Sequence, residues 1–241
     1  MKRILHIIVL RTIRHNDRHN IVTAYSLEAG RVSFLVPAGA GREAARRRAL
    51  LMPLAPVELV ASDQAVSDLM TMADPSPMVT LHSVTSSPVK SSIALFVAEV
   101  LATVLREGPP DRLLFDHILR SVTTLEEIPP ARAANFHLSF LISLAGLLGI
   151  GPDAGSYRPG MVFDLIDGRF RLTAPLHTQF LAAGQSAVLA RLLRMDMTNM
   201  HLFRFSRRER NEALDLILEY YSLHYTSLAS LRSLEILREL F

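Results

Sequence analysis

The sequence predicts a two-domain α+β protein in which a small β-barrel precedes a helical domain carrying a β-hairpin insert. Three patterns support this reading. β-branched, strand-like segments, with apolar and polar residues alternating in Ile21 to Ser26 and Arg31 to Val36, mark the first sixty positions. From Pro88 the apolar period lengthens to about 3.6, and two short apolar runs flank Asp167-Gly168 within the helical part.

The strand assignments follow in order. Ile4 to Ile13 is rich in β-branched residues and runs into His15-Asn16-Asp17, after which Ile21 to Ser26 resumes the alternation. Ala29-Gly30 offers a turn in which glycine can take positive φ, and Arg31 to Val36 sets Val32, Phe34 and Val36 on one face. Pro37 to Arg48, with Gly39, Gly41 and an arginine cluster, reads as an exposed loop. Pro53 and Pro56 make the apolar stretch from Leu50 to Val60 an edge or broken strand. A fifth strand falls either at Leu69 to Met72 or at Met78 to His82.

Helices are expected from Pro88 to Gly108, from Asp111 to about Glu127, and from Ala131 to about Leu148. Val162 to Leu165 and Arg169 to Leu172 form the hairpin. Thr178 to Met195 is expected to be helical, Ser206-Arg207-Arg208-Glu209 opens another helix with a capping box, and Leu228 to Phe241 forms the last.

Charge is unevenly distributed along these elements. Residues 1 to 60 hold 10 of the 26 Lys and Arg but 4 of the 23 Asp and Glu, giving +6, while the remainder carries −3. A basic β unit beside a mildly acidic helical one suggests a polyanion-binding face, with nucleic acid as the first partner to consider. The arginines at 42, 46, 47 and 48 are the densest cluster, and Lys2, Arg3, Arg11, Arg14 and Arg31 belong to the same unit. Tyr25 and Phe34 read as core residues, with base stacking as the alternative.

Other chemistries find little support. The absence of cysteine excludes disulfides, thiolate zinc sites and thiol nucleophiles. The nine histidines lack the acidic neighbours of a helical metal motif, and Asp164 and Asp167 are accounted for by turn chemistry beside Gly168. Ala38-Gly39-Ala40-Gly41-Arg42 has no Gly-Lys-Ser/Thr ending, and no serine sits in a nucleophile elbow. Lys2-Arg3 followed by Ile4 to Leu10 imitates a secretion signal, but Arg11 and Arg14 close the run without a small-residue cleavage site. Phe136 to Gly151 is shorter than the ~20 residues that span a bilayer. A cytoplasmic, non-enzymatic protein without cofactor is expected.

Taken in order, Val9-Leu10, Gly30-Arg31-Val32, Val36 to Gly39, Leu51 to Val57 with its spaced prolines, the helical remainder and Leu231-Arg232-Ser233-Leu234 make the chain resemble the RecO family of bacterial recombination mediators. The resemblance spans nearly the whole length. It implies an N-terminal OB-fold barrel at residues 1–80 that binds DNA and an α-helical domain at 81–241, with the hairpin insert at about 160–174. It also implies binding of single- and double-stranded DNA, annealing of complementary strands, contact with single-strand DNA-binding protein and RecR, and indirect help in loading RecA. The setting would be bacterial cytoplasm, at the nucleoid. Arg31, Arg42, Arg46, Arg47 and Arg48 are the leading DNA contacts, with Lys2, Arg3, Arg11 and Arg14 behind them. Many relatives carry a four-cysteine zinc module where this chain has the Phe163 to Leu172 segment, so zinc is not expected. In an alternative reading the chain is an adaptor whose helical domain binds single-strand DNA-binding protein or RecR, with Arg132 as a candidate contact, and the partner supplies most of the DNA binding.

Overall fold

The computed structural model describes residues 2–62, 69–105 and 108–240. The chain folds as two compact units, Met1–Ile128 and Pro129–Phe241.

The first unit is built on five strands: β1 (Lys2–Arg14), β2 (His19–Ser26), β3 (Gly30–Pro37), β4 (Pro56–Ser62) and β5 (Met70–Pro77). Long β1 serves two neighbours. Its first half pairs antiparallel with β4, from Lys2↔Ser62 to Ile8↔Pro56, and its second half pairs with β2, from Ile7↔Ser26 to Arg14↔Asn20. The strand order β1-β2-β3-β5-β4 closes into a ring. Its interior is apolar, with Leu5, Ile7, Val22, Ala24, Phe34, Val57 and Leu59 buried. Pro56 is tolerated because it opens β4, where the missing N–H costs least.

The fold class expected from the sequence, an OB-fold barrel followed by a helical domain with a hairpin insert, needs correction in several respects. The sheet is mixed: β3 meets β5 in parallel through only Phe34↔Met70 and Leu35↔Thr71, so the seam is short. The segment expected to be an exposed basic loop contains helix α1 (Arg42–Leu50). Alanine, arginine and glutamate are strong helix formers, and Gly41 at φ 95° lets the chain turn into the helix. The insert is a three-stranded sheet in which β6 (Val162–Asp164) pairs with both β7 (Arg169–Arg171) and β8 (Phe180–Leu181). The expected Thr178 to Met195 helix therefore begins only at Ala183, and β8 is too short to show a period.

Helices α2 (His82–Ser86), α3 (Pro88–Val104) and α4 (Arg112–Glu127) complete the first unit. Asp111 caps α4 by accepting from Leu114 N at 3.1 Å, and Ser87 caps α3 with Pro88 in its first turn. Gly30, at φ 64°, lies so near the backbone that an added Cβ would fall 2.7 Å from Gly108 O.

In the second unit α5 (Phe136–Leu147), which starts after the short 3₁₀ turn Pro130–Arg132, packs with α7 (Arg207–His224). The Tyr221 hydroxyl donates to Leu141 O at 2.8 Å. Helix α7 opens with the expected capping box between Ser206 and Glu209. Phe163, Phe170, Leu181, Leu189 and Tyr220 form a core beneath the small sheet, with Phe163 and Phe170 edge to face at 4.8 Å. Helices α6 (Ala183–Leu192) and α8 (Ser233–Leu240) complete the unit.

Candidate nucleic-acid interface

Helix α1 gathers Arg42, Arg46, Arg47 and Arg48 within nine residues that contain one acid, Glu43. Its inward face is anchored by buried Ala44. Arg42, Arg46 and Arg48 are exposed and Arg47 is half-buried. Gly39 lets this helix come close: an added Cβ there would meet Ala44 Cβ at 3.3 Å and Arg47 Nη2 at 4.0 Å. Arg48 Nη1 donates to Gly39 O at 3.0 Å, which fixes that guanidinium beside the chain leading into the helix.

A groove of about 450 Å³ runs between α1 and the strands, and a second of about 360 Å³ lies toward β5, lined by Arg46, Arg47 and Met72 to Pro75. Helix α1 therefore stands as a basic ridge between two depressions. The β1–β2 turn joins the same end of the ring, since Ala38 N donates to Arg18 O at 2.7 Å. Sequence alone does not single out exposed Arg18, which is separated from the cluster by over twenty residues.

The remaining candidate cations are dispersed. Arg14 is exposed but paired with Asp17 at 2.5 Å, and Arg11 is exposed beside the β1 irregularity between Val9 and Arg11. Lys2 and Arg3 occupy the other end of β1, with Arg3 Nη2 3.6 Å from Met70 Sδ. Arg31 donates to Ala102 O at 3.0 Å and to Leu105 O, so its guanidinium sits at the C-terminal carbonyls of α3. Tyr25 and Phe34 are buried, and the Tyr25 hydroxyl accepts from Asp111 N at 3.1 Å. Arg132 is exposed at the end of the turn before α5.

Groups that suggested other chemistry have structural partners. Asp164 is buried; its Oδ1 accepts from Ile166 N and Asp167 N, and Oδ2 pairs with Arg171 at 2.9 Å. His15 and His19 are four residues apart but flank the β1–β2 turn rather than sharing a helix face. Among the described residues no group of three His, Asp or Glu could hold a metal ion. None of their helices is long and apolar enough to cross a membrane.

A basic helix set on a strand ring is chemically the surface of a protein that handles polyanions. Comparison with known proteins narrows the class. Residues 1–75 match the family model for the recombination protein O N terminal, and residues 85–235 match that for the recombination protein O C terminal. The chain is 38% identical over 234 residues to the DNA repair protein RecO of Phocaeicola vulgatus, covering 97% of each. It is 38% identical over 240 residues to that of Porphyromonas gingivalis and 25% identical over 236 residues to that of Christiangramia forsetii, again covering 97% of each chain. The chain belongs to the RecO family, whose members are non-catalytic proteins of DNA repair and recombination.

Proposed function

We propose that this protein is a recombination mediator that holds DNA strands on α1 and its flanking grooves, anneals complementary strands and helps RecA load onto DNA coated with single-strand DNA-binding protein. The observation carrying this reading is the concentration of four arginines, three of them exposed, on one short helix with a single acid. Guanidinium groups bind phosphate oxygens in a fixed fork and release condensed counterions, so affinity would be tolerant of sequence and fall steeply with salt. Annealing requires no bond to be made or broken. Neutralising phosphates on two strands lowers their repulsion, after which base pairing supplies the driving force.

With Tyr25 and Phe34 buried, their rings are withdrawn from bases, and the arginines would carry most of the electrostatic attraction. Arg42, Arg46, Arg47 and Arg48 are the primary contacts in this proposal. Arg11, Arg14, Lys2 and Arg3 extend the positive field, and Arg31 acts chiefly by holding α3. The DNA-binding domain at 1–80 and the helical domain at 81–241 would divide DNA contact from partner contact. An annealing assay across salt, with and without single-strand DNA-binding protein, tests the proposal. Acceleration that survives the coating protein is expected; no acceleration under any of these conditions would refute it.

The adaptor reading has its own supporting observation in the second unit. A groove of about 380 Å³ combines Val188, Phe205 and Leu216 with Arg191 and Arg208 and with Glu209 and Glu212, and Arg191 lies over the rings of Phe203 and Phe205 at 5.7 and 5.5 Å. Arg208 is paired with Glu212 at 3.6 Å, so the apolar walls and Arg191 would receive an acidic, apolar-ended tail such as that of single-strand DNA-binding protein, with exposed Arg132 as a further contact. RecR is the other partner in this reading. A tail peptide that displaces the coating protein while leaving naked-DNA binding intact would separate the two surfaces.

A further inference from the structure

The groove between α1 and strands β1 to β3 has a composition that phosphate binding alone does not require. Exposed Pro37 and half-buried Ala38, Met52 and Pro53 contribute accessible apolar wall over a floor closed by buried Val22, Val36, Ala44 and Leu51. Exposed Thr12 and half-buried Asn20 bring hydrogen-bonding groups to the lining, and Arg47 and Arg48 bring positive charge. Its volume of about 450 Å³ lies within the roughly 300–1,000 Å³ typical of small-ligand sites. A phosphate would gain nothing from the apolar wall. A flat, partly apolar ring with polar edges, attached to a phosphate chain, matches both parts of the lining.

We propose that this groove receives an unpaired nucleobase from a strand whose phosphates lie along α1. The inference rests on the nucleic-acid reading above and deepens it. The apolar wall takes the face of the base, while the Thr12 hydroxyl and the Asn20 amide meet its edge and Arg47 and Arg48 hold the adjoining phosphates. The hydroxyl and the amide offer donors as well as acceptors, so the site accepts any of the four bases rather than reading sequence. A base held in a duplex has its edge paired and its faces stacked and cannot enter without leaving the helix. The groove thus gives the protein a preference for unpaired strands that a basic ridge by itself would lack.

The test compares full-length protein binding to a single-stranded oligonucleotide and to one of equal length whose sugars carry no bases, by fluorescence anisotropy at low salt. Both probes present the same number of phosphates. Binding about tenfold weaker to the baseless strand is expected, since each stacked base contributes appreciably to affinity. A double variant, Thr12→Leu with Asn20→Leu, narrows the groove mouth and removes its polar edge; it should bind both probes at the affinity of the baseless strand. Equal affinity of the unaltered protein for both probes would overturn the base pocket while leaving phosphate binding on α1 standing. Undetectable binding of either probe would overturn the nucleic-acid reading itself. A wild-type preference for bases that survives in a folded double variant would place base contact elsewhere and overturn this assignment.

Discussion

Lys90 Nζ donates to Glu126 O at 2.8 Å, while the carboxylate of the same Glu126 accepts from Ser83 N at 2.7 Å and Val84 N at 2.9 Å. One residue of α4 therefore ties down both the start of α2 and a lysine of α3 that is 0% exposed. Lys90 also donates to Ser83 Oγ at 2.7 Å, so the three helices share a closed polar clasp. Burial pushes the Lys90 ammonium below its ordinary pKa, and the Glu126 charge opposes that shift.

Lys90→Met should destabilise the protein by about 3 kcal/mol, because it leaves buried acceptors on Ser83 and Glu126 without their donor. Denaturant unfolding measures the loss. A change within ±0.5 kcal/mol would show that the clasp contributes little.

Gly30 combines a left-handed φ of 64° with a backbone neighbour that leaves no room for a side chain. Gly30→Ala is expected to lower stability by about 1–3 kcal/mol, the range for strain at such positions. Because Gly108 O is backbone, a rotamer change cannot relieve the clash. A thermal melt at pH 7.5 provides the comparison.

His137 is buried, and burial, assisted by the Arg210 charge, pushes its pKa down to about 3. The ordinary value is about 6.5, so between pH 6.5 and 3 the unfolded chain takes up a proton that the folded chain does not. This site should therefore reduce stability as pH falls, by about 2 kcal/mol at pH 5. Stability curves for the protein and for His137→Met should differ in slope over that interval, the variant being flatter.

His6 works in the opposite direction. Hydrogen bonding to Glu28 at 2.5 Å, with Glu58 at 3.1 Å on its other nitrogen, raises its pKa despite partial burial. Its stabilising contribution is complete below pH 6.5 and disappears as pH rises through the raised folded value. In an NMR titration the His6 ring should titrate above 6.5 and shift downward in Glu28→Gln.

The sequence makes some of this architecture legible and conceals other parts for definite physical reasons. Alternation locates β3 because it buries every second residue, β1 and β2 show instead as β-branched runs buried over consecutive residues, and Asp111 and Ser206 mark α4 and α7 because a helix start needs an acceptor for its free N–H groups. Helix α1 reads as loop because the glycines before it and the arginines within it mask a buried face consisting of Ala44 alone. The three-stranded insert reads as a hairpin because Phe180-Leu181 is recognisable as a strand only through its pairing with Phe163 and Asp164. Within the candidate site, the arginine cluster is visible as composition. The partners of Arg31, at residues 102 and 105, and the groove wall drawn from β1, β2, β3 and α1 depend on contacts far apart in sequence.

The most direct test is the salt dependence of single-stranded oligonucleotide binding by the protein and by a variant with Arg46→Ala, Arg47→Ala and Arg48→Ala together. If three phosphate contacts are lost, affinity should fall at low salt and the slope of log affinity against log salt should decrease in magnitude by about 2. A folded triple variant with unchanged affinity and unchanged slope would contradict the assignment of nucleic-acid binding to α1.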